Sequence, residues 1–501
     1  PGVPPLRHML QNALRAKPLV LGASRRLLSS TAASATRVVA AKAADTSREA
    51  EVRFGDGSAF LFHALWLRDA CRDAAHVEAQ SERVLTASPL VSRLPHSVGI
   101  KRVATEDDGR SIVVEWDHGD VERSTFEAGF LRALAPHAGK QLAPAAADAA
   151  ADASAAAPKG GAAVGGWFEF LNGKHDTPVP PPSELGLWDA SAPRITRLAY
   201  ADIASGRVPR DEMLRAIIDP GATIVEGMPD DPRFDGSTLA EFAAEYLGGL
   251  QKHPRRDNAH WTISTEETVS NSNMVAGTGV RNATNAYDTK KQLCNHTDQS
   301  LYGEPGLLLA FHCAFGEGNN SLTDGFAVAY ALRERHPEQF AMLARYGMNA
   351  GRHLGYYASG SLLFDTVHPV LRLDKAGNMY RVQYHESYRT PLTVPYDEFP
   401  AYMAALDTFY AMVHSPEFQT HIKMQQGELL IMNNWRTMHG RAGLAGKTRT
   451  ILGGTVTREA FYSSVRQHAA QQAGVPTAKE VGVPTAGFAL VGNYADRSMA
   501  G

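Results

Sequence analysis

Asn295-His296-Thr297-Asp298 is the stretch on which the reading of this chain turns. In extended backbone, residues two apart point to the same side. His296 and Asp298 can therefore aim an imidazole nitrogen and a carboxylate oxygen at one point. A second imidazole has to come from elsewhere. The best candidate is His439, inside Asn434-Trp435-Arg436-Thr437-Met438-His439-Gly440-Arg441. Two histidines and one carboxylate on one face of an octahedron leave three positions open, which suits Fe(II) that must take a bidentate co-substrate and then dioxygen. Alone, a His-x-Asp is a weak signal in a chain with 19 histidines and 53 acidic residues. A surface turn for His296 and a backbone-satisfied core histidine for His439 are the plain alternatives. Arg449, just beyond His439, strengthens the pattern. A buried guanidinium clamps a carboxylate through paired N–H bonds, and 2-oxoglutarate bound to iron by its keto-acid end leaves a distal carboxylate to be clamped. An ordinary surface cation is the alternative for Arg449.

Outward from these motifs, short apolar runs recur. Ala222–Val225, Leu307–Phe315, Val370–Leu373, Met379–Tyr384, Glu428–Met432 and Thr448–Val456 read as strands. Helical patterns interrupt them at Asp211–Ile218, Gly325–Arg335 and Phe399–His414. Many short strands with a few inserted helices predict a mainly β protein, a jelly roll, rather than a parallel sheet. Ser111–Trp116 is a strand candidate in a separate small β-rich unit ahead of it. The expected division is a leader at 1–44, a small β-rich domain at 45–137, a low-complexity linker at 138–186, the main domain at 187–467 and a tail at 468–501.

The ordered set of motifs resembles the taurine-dioxygenase-like (TauD/TfdA) superfamily, in its gamma-butyrobetaine and trimethyllysine dioxygenase branch. Trp66-Leu67-Arg68-Asp69-Ala70-Cys71, Leu187-Trp188-Asp189, Asn295 to Asp298 with Glu304-Pro305-Gly306, Leu322-Thr323-Asp324-Gly325-Phe326, Val394-Pro395-Tyr396-Asp397 and Asn434 to Arg441 carry it. The resemblance implies a double-stranded β-helix catalytic domain behind a small N-terminal β domain. It implies hydroxylation of an unactivated C–H bond of a small molecule, with Fe(II), dioxygen, and 2-oxoglutarate going to succinate and carbon dioxide, ascorbate being supportive. It also implies a homodimer. Arg441 is a second candidate for ordering the co-substrate pocket, or a structural ion-pair partner.

The branch pattern is broken in two places. Its N-terminal domain carries zinc on three cysteines and a histidine; here Cys71, His76 and His118 are what remains for such a site, against a reading as a small apolar cysteine and two surface histidines. The second break concerns substrate. A quaternary ammonium cannot donate hydrogen bonds and is recognised by aromatic faces. Tyr287, Trp261 and Tyr302 are the candidate walls, with Tyr388 and Tyr462 in reserve. Gln299 and Thr455, however, stand where the branch has tyrosines. Trimethyllysine and gamma-butyrobetaine are the expected substrates. The Tyr302-Gly303-Glu304-Pro305 run leans to the former. Other readings are a related oxygenase with a different small substrate, a catalytically silent β-helix module, and a metal-dependent hydrolase. The presence of His296, Asp298, His439 and Arg449 together argues against the last two.

The remaining sequence is ordinary or marginal. Hydrophobic residues make up 44% and charged residues 21% of 501, with a net charge of -3, giving no reason to expect a nucleic-acid partner. Three cysteines, Cys71, Cys294 and Cys313, do not make a disulfide framework. No apolar run is long enough to span a membrane. Pro1 to Ala44 contains no Asp or Glu but carries Arg7, Arg15, Lys17, Arg25, Arg26, Arg37 and Lys42. A basic, serine-bearing, acid-free start reads as an organelle transit peptide, mitochondrial first and plastid second, or else as a plain Ala-rich tail on a cytoplasmic protein.

Overall fold

The structure, a computed structural model, describes residues 36–71, 96–117, 121–142, 182–252, 259–264, 293–354, 362–374, 376–441 and 449–472. Most of the expected leader and linker, the tail from 473 onward, and His76, His118 and Tyr287 lie outside these residues. The chain divides into two compact units, each described by itself.

The N-terminal unit is built from small sheets. Strands β1 (Val38–Ala43), β2 (Glu49–Phe54) and β3 (Ala59–His63) pair antiparallel, and β4 (Ile100–Glu106), β5 (Ser111–Trp116) and β6 (Arg123–Glu127) form a second antiparallel sheet. A further short strand, β7 (Lys140–Gln141), extends the first sheet beside β3. The strand Val38–Ala43, within the stretch expected as a leader, pairs along β2. In β2, Ala50, Val52 and Phe54 alternate with more open positions, the pattern of a strand with one buried face. Cys71 is buried, with its Sγ 3.1 Å from the Ser124 Oγ, which also accepts a bond from Trp116 Nε1 at 2.9 Å.

The second unit holds β8 (Thr196–Ala199), β9 (Ala222–Glu226), β10 (His260–Ser264), β11 (Leu293–His296), β12 (Leu308–Asp324), a ribbon of β13 (Met348–Leu354) and β14 (Leu362–His368), another of β15 (Leu371–Leu373) and β16 (Met379–Val382), then β17 (Gln419–Gln425), β18 (Leu429–Asn433), β19 (Thr437–Arg441) and β20 (Arg449–Val456). The 17-residue β12 organises them. Its first half lies between β20 and β18, in the order β10-β20-β12-β18-β9-β8; its second half pairs with β17 and β19, and β19 with β11. Leu309 and Cys313 from the first half, Leu322 from the second, and Met424, Leu430, Met432 and Ile451 share one buried cluster. The two halves of the strand therefore face one another across a common interior, as in a double-stranded β-helix. The alternate residues Leu308, Ala310, Leu429 and Ile431 point the other way, against Met213, Leu214 and Ile217 of the helix Arg210–Ile218 and Phe461 of the helix Arg458–Gln472. Burial on both faces explains why Leu307–Ala310 and Leu429–Met432 are unbroken apolar runs.

Three of the sequence motifs meet in one buried ion cluster. Arg436 donates from Nε and Nη2 to both oxygens of Asp324, at 3.0 and 2.7 Å, and from Nη1 to Asp219 at 2.7 Å. Asp324 also accepts the Trp188 N–H and caps the helix Gly325–Arg335 through the Phe326 N–H. Asp324 is fully buried. Arg436→Met would leave that carboxylate without its cation, and a loss of about 3–5 kcal/mol is expected. A urea midpoint within a few tenths of molar of wild type would contradict this role. No helix among the described residues is long and apolar enough to cross a membrane.

Candidate metal centre

The site is made where β11 lies against β19. Leu293 pairs with Arg441 and His296 with His439, so three steps along β11 match two along β19. That mismatch is a bulge, which re-aims a strand locally. It places His296 directly opposite His439, and directly opposed residues share a face. The two rings lie 4.3 Å apart at 49°. Gly440 makes the close approach possible. A Cβ there would fall 2.3 Å from Asn295 Oδ1 and 2.5 Å from the Leu293 carbonyl.

Asp298 reaches the same point by a different route from a continued strand. β11 ends at His296, and Asp298 lies in the turn that follows, ahead of Gln299 at φ 58°. Asn434 fixes this turn from across the site. Its Oδ1 accepts the Asp298 N–H at 2.9 Å, and its Nδ2 donates to the carbonyls of Asp298 and Gly306, each at 3.0 Å. Thr297 is held in the same way by Tyr384, whose carbonyl accepts the Thr297 N–H at 2.8 Å. His296 Nδ1 lies 2.7 Å from the Cys294 carbonyl. With its proton donated there, Nε2 keeps its lone pair and faces Asp298 Oδ1 at 3.3 Å.

Ligand atoms of His296, Asp298 and His439 lie within 4.8 Å of one another, the one such convergence of histidine, cysteine and acid groups found among the described residues. Both imidazoles are buried, while the Asp298 side chain is 26% exposed, leaving an open side. Burial, assisted by the neighbouring His296, pushes the His439 imidazole down to about 3, against a partial counter-effect of Asp298. A neutral imidazole is the ligand form. His439 Nδ1 is buried without a hydrogen-bond partner. Two neutral nitrogens and one carboxylate oxygen fit Fe(II).

Arg449 begins β20 opposite Gly316, and its guanidinium lies over Gly318. It alternates in step with Ile451, so it faces the interior. It is 4% exposed, and burial pushes its guanidinium down to about 10. Arg441, buried at 5%, shares the His439 side of β19. Trp261 packs flat on Gly453 and edge-on to Phe311, 6.3 Å between centroids, and Phe311 is edge-on to His439 at 5.3 Å. Tyr302 meets Gln383 through its backbone carbonyl. Tyr462 belongs to the outer cluster with Phe461, on the face away from the interior, which removes it as a wall of the site. Gln299 and Thr455 bond to each other at 3.2 Å, and Thr455 continues to Gln251 at 3.2 Å.

Sequence reasoning missed two neighbours of the triad. His385 stacks on His296 at 4.2 Å and on Tyr388 at 4.3 Å, and its Nδ1 accepts the Ser387 N–H. Phe311 was hidden within an apolar run, although strand alternation from Leu309 points it inward. Asn434 was read only as part of a motif and given no task.

Residues 184–455 match the family described as "Taurine catabolism dioxygenase TauD, TfdA family". The chain belongs to the TauD/TfdA family. As a TauD/TfdA protein it is an oxidoreductase, a dioxygenase using iron and 2-oxoglutarate. Residues 41–132 match the description "Gamma-butyrobetaine hydroxylase-like, N-terminal". Gamma-butyrobetaine dioxygenase of Pseudomonas sp. (strain AK-1) is 27% identical over 445 residues, covering 85% of this TauD/TfdA chain and 95% of the relative. Mitochondrial trimethyllysine dioxygenase of Rattus norvegicus is 31% identical over 189 residues, covering 36% of this chain and 43% of that one.

Two outcomes follow from this geometry. Asn434→Ala leaves the three ligand side chains in place but loosens the Asp298 turn, and a 10–100-fold weaker iron affinity is expected, read by metal titration. In the metal-free protein His439 is neutral when folded and titrates near 6.5 when unfolded. Its contribution to stability is therefore complete above pH ~6.5 and is lost as pH falls towards 3. Denaturation midpoints at pH 7, 5 and 4 should decline, and His439→Gln should flatten the decline; an unchanged slope in that variant would place the titration elsewhere.

Proposed function

We propose that this enzyme hydroxylates a small trimethylammonium acid, trimethyllysine or gamma-butyrobetaine. In this reading His296, Asp298 and His439 hold Fe(II), and Arg449 clamps the distal carboxylate of 2-oxoglutarate. The observation that carries the reading is the registered His296–His439 pair with Asp298 facing it, bordered by the aromatic faces of Phe311, Trp261 and, through His385, Tyr388. When bound, iron supplies activation of dioxygen for C–H oxidation. The chain supplies three ligands facing one way, a cation for the co-substrate, and apolar walls that attract a quaternary ammonium through their π faces. The two named relatives, acting on gamma-butyrobetaine and trimethyllysine, support the substrate class.

A second reading, a related oxygenase with a different small substrate, is favoured by one observation. Gln299 and Thr455 fill with a hydrogen-bonded pair the places where the resembling enzymes carry tyrosines. Purified protein with Fe(II), ascorbate and 2-oxoglutarate separates the two. Succinate formation should rise on adding trimethyllysine or gamma-butyrobetaine. If neither raises it above the uncoupled rate, the trimethylammonium reading fails and the second one stands. Phe311→Ala should raise KM for the amine about 5–30-fold while leaving the uncoupled rate near wild type. Arg449→Ala should chiefly raise KM for 2-oxoglutarate.

We also propose a mitochondrial location, supported by the basic acid-free start and by the mitochondrial relatives. A fluorescent protein carrying residues 1–44 at its N-terminus should collect in mitochondria; diffuse fluorescence would refute it.

A further inference from the structure

Behind the metal turn, on the β15–β16 ribbon, two arginines stand side by side. Arg372 of β15 pairs in register with Arg381 of β16, and they are 6% and 1% exposed. Opposed residues share a face, so two like charges are buried together. Burial and then the neighbouring Arg381 push the Arg372 guanidinium down to about 9. Burial pushes Arg381 down as well.

Arg381 has few partners for so buried a cation. Its guanidinium lies 4.8 Å from the Trp435 ring centroid, and Nη2 donates to the Gly303 carbonyl at 3.3 Å. Its Nε and Nη1 are buried with no hydrogen-bond partner. Glu304, the acid whose charge reaches both arginines, is exposed to solvent. One fully buried hydroxyl on the same turn is also without a partner, Ser300 Oγ, and it can donate. Gln383 and Arg381 share one side of their strand, and both hold the turn that runs on from Asp298. Gln383 Nε2 donates to the carbonyls of Ser300 and Tyr302 at 2.9 and 2.8 Å. Buried His368 lies on the same turn, its Nε2 2.6 Å from the Ser300 carbonyl.

Leaving a buried donor of a charged group unpaired costs several kcal/mol, and a buried like-charge pair adds to it. Both costs are offset by one ligand chemistry. We propose that Arg381 and Arg372 hold a small inorganic anion, of the size of chloride, against the turn formed by residues 300–303. The site shares no residue with the iron triad and lies against the segment that follows Asp298. A monatomic anion suits it because Arg372, Arg381 and Ser300, the donors that would hold it, are 6%, 1% and 0% exposed. Its bound charge accepts from the free N–H groups of Arg381 and from the Ser300 hydroxyl, and it offsets the repulsion between the guanidiniums. Its effect is to stiffen the segment between the metal ligand Asp298 and the Pro305–Gly306 link held by Asn434 and Trp435.

The test uses the full chain without iron or 2-oxoglutarate. Its melting temperature is measured in sodium bromide and in sodium gluconate of equal ionic strength, gluconate being too large for the site. Bromide should raise the melting temperature by about 2–4 °C, saturably. The shift should vanish in Arg381→Gln and persist in Arg449→Ala. Identical melting in the two salts would overturn the proposal. So would a shift that survives Arg381→Gln, or one lost in Arg449→Ala, which would assign the anion to the co-substrate clamp. Should Arg381→Gln not fold, crystals of the wild-type protein grown in bromide decide the matter. An anomalous peak between the two guanidiniums supports the site, and its absence refutes it.

Discussion

The antiparallel register of β11 on β19 is the constraint from which the rest of the site follows. Antiparallel pairing alone would set one residue against one. Here β11 carries an extra residue between Leu293 and His296, and the slip brings His296, rather than Asn295, opposite His439. One residue of slip exchanges the faces of a strand. Without the bulge an amide would face the second histidine, and the imidazole would point into the hydrogen-bonding environment that Asn295 now occupies with Thr323 and Ser321. The bulge is in turn permitted by Gly440, since any side chain there would collide with Asn295.

That register is held from both sides. The second half of β12 pairs with β19, setting Leu322 against His439. The first half pairs with β20 and brings Arg449, Gly453 and Thr455 into the same interior. One uninterrupted strand thus links the sheet carrying His296 and His439 to the sheet carrying Arg449 and Trp261. The Arg436–Asp324–Asp219 cluster sits at the end of this strand and at the start of β19. The electrostatics follow from burial. Burial pushes the His439 imidazole and the Arg449 guanidinium down alike, favouring the neutral form of each.

Much of this was legible from residues alone. Period-two alternation and unbroken apolar runs located the strands around Ala222, Leu307, Glu428 and Thr448, because a strand buried on two faces needs apolar side chains on both. The helical patterns read at Gly325–Arg335 and Phe399–His414 agree with the helices Gly325–Arg335 and Phe399–Val413 to within a residue. The extension of β12 through Gly316-Glu317-Gly318-Asn319-Asn320 was not legible, because such residues ordinarily mark a turn. Here pairing with β17 on one side and β20 or β19 on the other overrides that local preference. The strand Val38–Ala43 was masked by the basic composition around it.

Sequence by itself determined which chemistry was available: two histidines, one aspartate and one arginine of the right types, in motifs that name the family. Types and spacing are properties of the chain. Tertiary structure alone decided that His296 and Asp298 converge by a strand end and a turn rather than along one strand, that Asn434 holds that turn, and that Phe311 and His385 border the ligands while Tyr462 faces away. These are matters of register and of contacts between residues far apart in sequence, and no local pattern encodes a bulge that is stabilised only by the strand lying against it.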